Sequence, residues 1–307
     1  MGRKRSGLPI NGWLAIDKPL GMTSTAVVTR VRKITGAAKV GHGGTLDPLA
    51  TGILPIAMGE GTKTVAYVMD GAKSYRFRVT WGESRSTDDA EGEVTATSDV
   101  RPSLEQIAAA IPAFLGEIEQ VPPIYSAVKV DGRRAYDLAR KDQQVELKAR
   151  IVRIDRFQLV AHDADWAEFE VGTGKGAYIR SLARDLSLAL GTVGYVSMLR
   201  RTVCGPFHEG NAISLEKLEE FSHSAASANY VLPVETALDD IPALALTEDE
   251  ARRLQSGQPL AVSRLAGCDD LSSISAGLTV RAMADGRLVA LVRIEDGEVR
   301  PVRVLNL

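Results

Sequence analysis

Nine consecutive residues, Lys73-Ser74-Tyr75-Arg76-Phe77-Arg78-Val79-Thr80-Trp81, alternate without a break. Tyr75, Phe77, Val79 and Trp81 fall on one side; Arg76, Arg78 and Thr80 fall on the other. That period of two marks a strand with one buried face and one wet face. One-face burial is a habit of antiparallel sheets, because crossover helices cover both faces of parallel ones. The apolar face needs helices packed on it, and the sequence supplies amphipathic candidates. A helix capped by Ser24 carries Val27, Val31 and Ile34 at helical spacing and stops at Gly36. A second runs from Ser103 to about Phe114. A third, opened by Gly174-Lys175-Gly176-Ala177-Tyr178-Ile179-Arg180, lines up Ile179, Leu182, Leu186 and Leu190 before Gly191.

The remaining segments alternate between strand and punctuation. Strands are expected at 12–18 (ended by Pro19), 53–58, 121–132, 150–161, 166–173 and 196–201. A short helix runs from Gly59 to about Asp70, a polar loop with a turn at Glu91-Gly92 covers 82–99, and a helix covers 133–141. Residues 1–11 read as a flexible basic arm, and a break falls near Ile241-Pro242. The tail 243–307 has a helix at Glu248–Gln255 and strands near 277–283, 287–294 and 298–305. Asp285-Gly286 and Asp296-Gly297 are hairpin turns between those strands.

The 307 residues suffice for one large domain and a small one. Cys204 and Cys268 lie far apart without metal spacing, so a reducing cytoplasm is expected. The basic start lacks an apolar h-region, and no run reaches the ~18 residues of a membrane span. The net charge of −2 hides an uneven distribution. Residues 1–40 carry eight Lys/Arg and one acid, Asp17; residues 235–307 carry eight Arg and twelve acids; residues 129–156 carry nine basic and five acidic residues. Such basic segments suit a polyanion.

The densest chemical signal is Gly41-His42-Gly43-Gly44-Thr45-Leu46-Asp47-Pro48-Leu49-Ala50-Thr51-Gly52. Glycines permit close backbone approach, and Pro48 restricts Asp47 to an extended conformation. Asp47-Pro48 also fits a helix N-cap and first helical residue, but the apolar run that follows reads as a strand. A carboxylate bonded to backbone N–H groups stays ionised, which suits a nucleophile. Arg180, in the first turn of its helix, opposes the macrodipole and is expected to serve an anion.

Six pieces in order resemble the TruB family of tRNA pseudouridine synthases. They are Asp17-Lys18-Pro19-x-Gly21-Met22-Thr23-Ser24; the glycine-rich loop; Lys73-x-Tyr75; Pro122-Pro123-x-Tyr125-Ser126-Ala127-x-Lys129; Gly176-x-Tyr178-Ile179-Arg180; and Leu199-Arg200-Arg201. The resemblance implies an α+β fold: a mixed, mainly antiparallel pseudouridine synthase-like sheet core with flanking helices over 12–240. It adds an inserted thumb segment at about 122–150 and a C-terminal PUA-like RNA-binding module at 243–307. It implies isomerisation of uridine-55 in the tRNA T loop after base flipping, without a cofactor, nucleotide or metal. Asp47 is the expected nucleophile, with attack at C1′ or C6; Arg180 is its partner, and Tyr75 stacks on the base or acts as general base. His42 braces the vacated space; Lys18, Tyr178 and Leu199 line the pocket; Lys129, Arg133 and Arg134 grip the T arm. A monomer is expected, with tRNA as partner and no membrane.

Three departures from the family pattern stand out: Gly43 and Ala177 where Thr is usual, and Arg85-Ser86-Thr87-Asp88-Asp89 in place of Thr-Asp-Thr-x-Asp. Gly43 is expected to loosen the loop beside His42. His162, His208 and His223 read as surface residues. The rival readings are a nucleotidyltransferase-like phosphate loop, which lacks a Lys-Ser/Thr ending, and a non-catalytic tRNA-binding or folding factor.

Overall fold

The computed structural model describes residues 7–126, 128–130, 133–135, 147–221, 230–265 and 277–307. The strands, in chain order, are β1 (Gly12–Lys18), β2 (Val40–His42), β3 (Ala50–Met58), β4 (Lys73–Trp81), β5 (Glu83–Arg85), β6 (Val94–Thr97), β7 (Gly116–Gln120), β8 (Lys129–Val130), β9 (Arg133–Arg134) and β10 (Arg150–His162). They continue with β11 (Trp166–Thr173), β12 (Gly194–Cys204), β13 (Phe207–His208), β14 (Ala212–Ser214), β15 (Ala243–Ala245), β16 (Leu260–Ala261), β17 (Thr279–Ala284), β18 (Arg287–Glu295) and β19 (Glu298–Val304). Ten of them form one sheet, ordered β14-β1-β3-β12-β4-β11-β10-β7, with β2 on β3 and β13 on β12. Its pairings are antiparallel except β1 with β14 and β3 with β12. This is the α+β, mainly antiparallel core expected from the sequence.

The alternation of β4 has its physical cause in that sheet. Phe77, Val79 and Trp81 are buried under the helices Leu104–Ala110 and Ile179–Ala189, which contribute Ile107, Leu182 and Leu186 to the same core. Phe77 stacks on Phe169 of β11 with ring centroids 5.3 Å apart. On the opposite face, Arg76 and Arg78 each meet Glu168 at 3.0 Å, and Arg156 meets Glu170. Strand β3 is apolar from Ile53 to Met58 because both its faces are covered there. Leu54, Ile56 and Met58 pack under the helix Ser24–Thr35, while Ile53 and Ala57 pack with Trp13 and Phe207. The C-terminal strands form a five-stranded sheet, β15-β17-β18-β19-β16, around its own core of Val280, Ala290 and Val292. Asp285-Gly286 and Asp296-Gly297 take positive φ throughout, as tight two-residue hairpins require.

Several local expectations change. The cap of the first helix is Thr23, whose side chain accepts from Ala26 N; Ser24 is buried and used elsewhere. The polar segment 82–99 contains the β5–β6 hairpin. Strand β7 was hidden because Gly-Glu-Ile-Glu-Gln offers one apolar residue at a mostly exposed edge. Arg133 and Arg134 start no helix; they form β9, paired with β8, and 136–141 lie outside the described residues. Of the basic arm, Arg3, Lys4 and Arg5 lie outside the described residues. Residues 7–11 are tied down: Leu8 N donates to Gly36 O, and Asn11 Oδ1 accepts from Glu60 N. Among the described residues no helix is long and apolar enough to cross a membrane.

Candidate active site

The glycine-rich loop runs from β2 into β3. Asp47 is not a helix cap: Ala50 N donates to Asp47 O at 3.0 Å, closing a turn that leads straight into strand. The loop is held from several sides. Ser24 Oγ donates to Leu46 O at 2.9 Å and accepts from Leu46 N at 2.8 Å. Lys18 Nζ donates to Pro48 O, Pro19 O and Met22 O. Arg201 donates through Nε to Ile53 O at 2.8 Å and through Nη2 to Gly44 O at 3.1 Å. Gly52, with φ of 95°, permits Arg201 and Gly52 to pair in the parallel β3–β12 contact; a Cβ there would lie 2.2 Å from Arg201 O.

The second half of the site comes from the helix Ile179–Ala189. Its start is fixed by Gln120, whose side chain bonds both Tyr178 N and Tyr178 O. Arg180 then points off the first turn with its side chain only 5% exposed. Nη2 reaches Asp47 Oδ2 at 3.0 Å and also donates to Tyr125 O at 2.8 Å. Nη1 donates to Thr87 O at 2.8 Å, and Nε lies 3.6 Å from Asp89 Oδ2. A cation at a helix N-terminus is unfavourable by itself; these acceptors compensate. Asp47, at 40% side-chain exposure, keeps an open side facing a shallow cleft. Leu49, Ala50, Asp89 and Leu199 also line it.

A family model described as TruB family pseudouridylate synthase (N terminal domain) matches residues 32–179, and one described as tRNA pseudouridylate synthase B C-terminal domain matches residues 180–239. A Rhodospirillum rubrum protein named tRNA pseudouridine synthase B is 59% identical over 308 residues, with 100% of both chains covered. The chain belongs to the TruB family. A relative of the same name from Gluconacetobacter diazotrophicus is 56% identical, over 99% of this chain and 100% of its own. The solved structure titled "Structure of H/ACA RNP bound to a substrate RNA containing 2'-deoxyuridine" covers 100% of this chain and 92% of its own, at 25% identity and a TM-score of 0.75.

In this TruB-family chain some of the expected site residues line the cleft and others lie beside, beneath or away from it. Asp47, Arg180 and Leu199 meet around the cleft. Tyr75 and His42 lie beside Arg201 next to it: Tyr75 is the register partner of Arg201 across β4 and β12. Burial pushes the Tyr75 phenol above its ordinary pKa, opposed by Arg201. Burial, aided by Arg201, holds His42 below its own, and its Nδ1 accepts from Gly44 N. Lys18, expected among the pocket and RNA-contacting residues, has no exposed surface and sits beneath the loop; burial lowers its pKa to about 8, with Asp47 opposing the shift. Tyr178 stands at the helix start with Arg150 over its ring. Lys129, Arg133 and Arg134 lie on β8 and β9, apart from the ten-stranded sheet.

Three site residues have roles that their sequence context does not reveal. Arg201 stood in the Leu199-Arg200-Arg201 motif, but nothing in the sequence shows that a 2%-exposed guanidinium gathers loop carbonyls. Asp89 stood in a segment noted only for its departure from the family pattern. Ser24 has the sequence signature of a helix cap, which conceals that its hydroxyl holds the loop at Leu46. Gly43 does not loosen the loop: its N–H donates to Pro55 O at 2.8 Å, and its Cα is hemmed in by Trp13 and Val68. Among the described residues no group of three or more His, Cys, Asp or Glu side chains could hold a metal ion.

Proposed function

We propose that this protein isomerises uridine-55 in the T loop of tRNA to pseudouridine. The observation that carries the reading is the 3.0 Å pairing of a half-open carboxylate, Asp47, with a buried guanidinium, Arg180, at the mouth of a cleft. The curated relatives' names supply the tRNA and the reaction. The guanidinium orients the carboxylate through a charge-assisted hydrogen bond. Asp47 then attacks C1′ or C6 of the extruded nucleotide. The N1–C1′ bond breaks, the uracil turns, C5 bonds to C1′, and the bond between Asp47 and the nucleotide breaks to free the carboxylate; the C5 proton leaves and N1 gains one, so there is no net oxidation or reduction.

The neutral, raised-pKa phenol of Tyr75 favours stacking on the base over service as a phenolate base. His42, held neutral, braces the space that the base leaves. Lys18 acts as a strut under Asp47. The segment carrying Lys129, Arg133 and Arg134 and the C-terminal sheet hold the T arm by shape and backbone charge. The catalytic domain spans 12–240, with its insertion at 122–150, and the module 243–307.

The test is incubation of the purified protein with an unmodified tRNA transcript, with chelator and no added cofactor, followed by adduct formation and primer-stop mapping. One stop at the T-loop uridine is expected. Asp47→Asn should keep tRNA affinity and give no product. Turnover by Asp47→Asn overturns the nucleophile, and tight binding without product by the wild type favours a folding factor.

A further inference from the structure

The altered segment Arg85-Ser86-Thr87-Asp88-Asp89 has a structural counterpart elsewhere in the chain. The family pattern places an acid where Ser86 stands; here the extra acid stands two residues later, at Asp88. Asp88 takes φ of 59°, a left-handed conformation that L side chains rarely adopt. Its backbone is gripped on both sides, Asp88 N donating to Arg85 O and Val196 N donating to Asp88 O. Its carboxylate meets Arg184 Nη1 at 3.2 Å. Arg184 lies one turn beyond Arg180, on the same helix face. It also donates from Nη2 to Val121 O at 2.9 Å and pairs through Nε with Asp185 at 2.9 Å.

The turn at Asp88 directs its two neighbours to one place. Thr87 O accepts from Arg180 Nη1, and the Asp89 carboxylate faces Arg180 Nε. These are two of the four acceptors around the guanidinium that holds Asp47. We propose that Arg184 is a positioning residue for the Arg180–Asp47 pair, acting through Asp88 to fix the 87–89 turn against Arg180. The inference rests on the reading of Asp47 and Arg180 as the reacting pair. A guanidinium this buried must keep its acceptors. If the turn relaxes, Arg180 re-aims, and Asp47 loses the angle from which it attacks; displacements of about 1 Å at a reacting group cost up to ~100-fold in rate.

The experiment measures kcat and KM for pseudouridine formation on a tRNA transcript, in the full chain, for Arg184→Gln, Asp88→Asn and the double variant. Each single variant should lower kcat about tenfold with KM changed by less than about twofold, consistent with loss of alignment in the transition state alone. The double variant should be no slower than the slower single one, because both break one link. Arg184→Lys, which keeps a cation for Asp88, should recover most of kcat. Unchanged kcat in Arg184→Gln, losses that multiply in the double variant, or a fall in melting temperature with kcat intact overturns the proposal. Asp47→Asn measured in parallel separates the two readings. An active Asp47→Asn overturns the reading of the pair itself; an inactive one beside a fully active Arg184→Gln overturns only the positioning role.

Discussion

Trp13 and Gly43 show how one residue sets the identity of another. A Cβ at Gly43 would lie 3.0 Å from Val68 Cγ1 and 3.2 Å from Trp13 Cζ3. The indole thus fills the volume that a Thr side chain needs. Gly43→Thr should destabilise the protein by about 1–3 kcal/mol through overpacking, read from urea midpoints, and should cost much less in a Trp13→Val background, which is itself destabilised by loss of the buried indole. An additive double variant would show that the two positions are independent. Lys18 supplies the pH test. Its folded pKa of about 8 lies below the ordinary 10.5, so between these values the native state binds fewer protons than the unfolded state. Its contribution to stability therefore rises with pH across that window. The unfolding free energy of wild type relative to Lys18→Met should grow from about pH 7.5 to about pH 9.5. Turnover should fall over the same range as the cation under Asp47 is neutralised, and should stay flat in the variant.

At the scale of elements, the parallel contact between β3 and β12 is what joins the two halves of the site. It seats Leu199 beside Ala50 and Arg201 beside Gly52, so the strand after the Arg180 helix runs next to the strand after the Asp47 loop. Gly52→Ala should break this contact, since its Cβ would meet backbone rather than a side chain that can turn away. We expect a lower melting temperature and turnover reduced together with it; a variant that melts normally and turns over normally would place the strands' coupling elsewhere. The sequence announced these elements well where one periodicity held, as in β4 and the helix Ile179–Ala189. It hid β7, because an exposed edge strand needs no apolar face, and it hid the β5–β6 hairpin, because β6 is exposed along its whole length and three-residue β5 has no buried face.

The whole molecule is knitted across its two sheets. Leu288, Leu291 and Leu305 from the C-terminal strands share a core with Trp13, Ile53 and Phe207 of the ten-stranded sheet. At the same seam Lys63 Nζ donates to Val304 O, and Glu60 Oε2 accepts from Asn306 N. Leu291→Ala should cost about 2–5 kcal/mol, and the loss should be felt by the entire chain. Unfolding followed by tryptophan fluorescence and by far-ultraviolet circular dichroism should shift together as a single transition. Two separated transitions would mean that the sheets unfold independently despite their common core.

The sequence by itself determined the strand periodicities, the helix faces, the Asp-Gly turns and the residue types of the loop that carries Asp47, because these depend on neighbours within a few positions. Its motifs also singled out Asp47 and Arg180, 133 positions apart. What only the tertiary structure decided is which charges lie inside and what they hold. Lys18 and Arg201 are sequestered, Asp89 and Thr87 converge on Arg180, and Arg184 takes up the displaced acid at Asp88. Those roles depend on distances between segments far apart in the chain, and a buried cation is tolerated only where the fold brings enough acceptors to it.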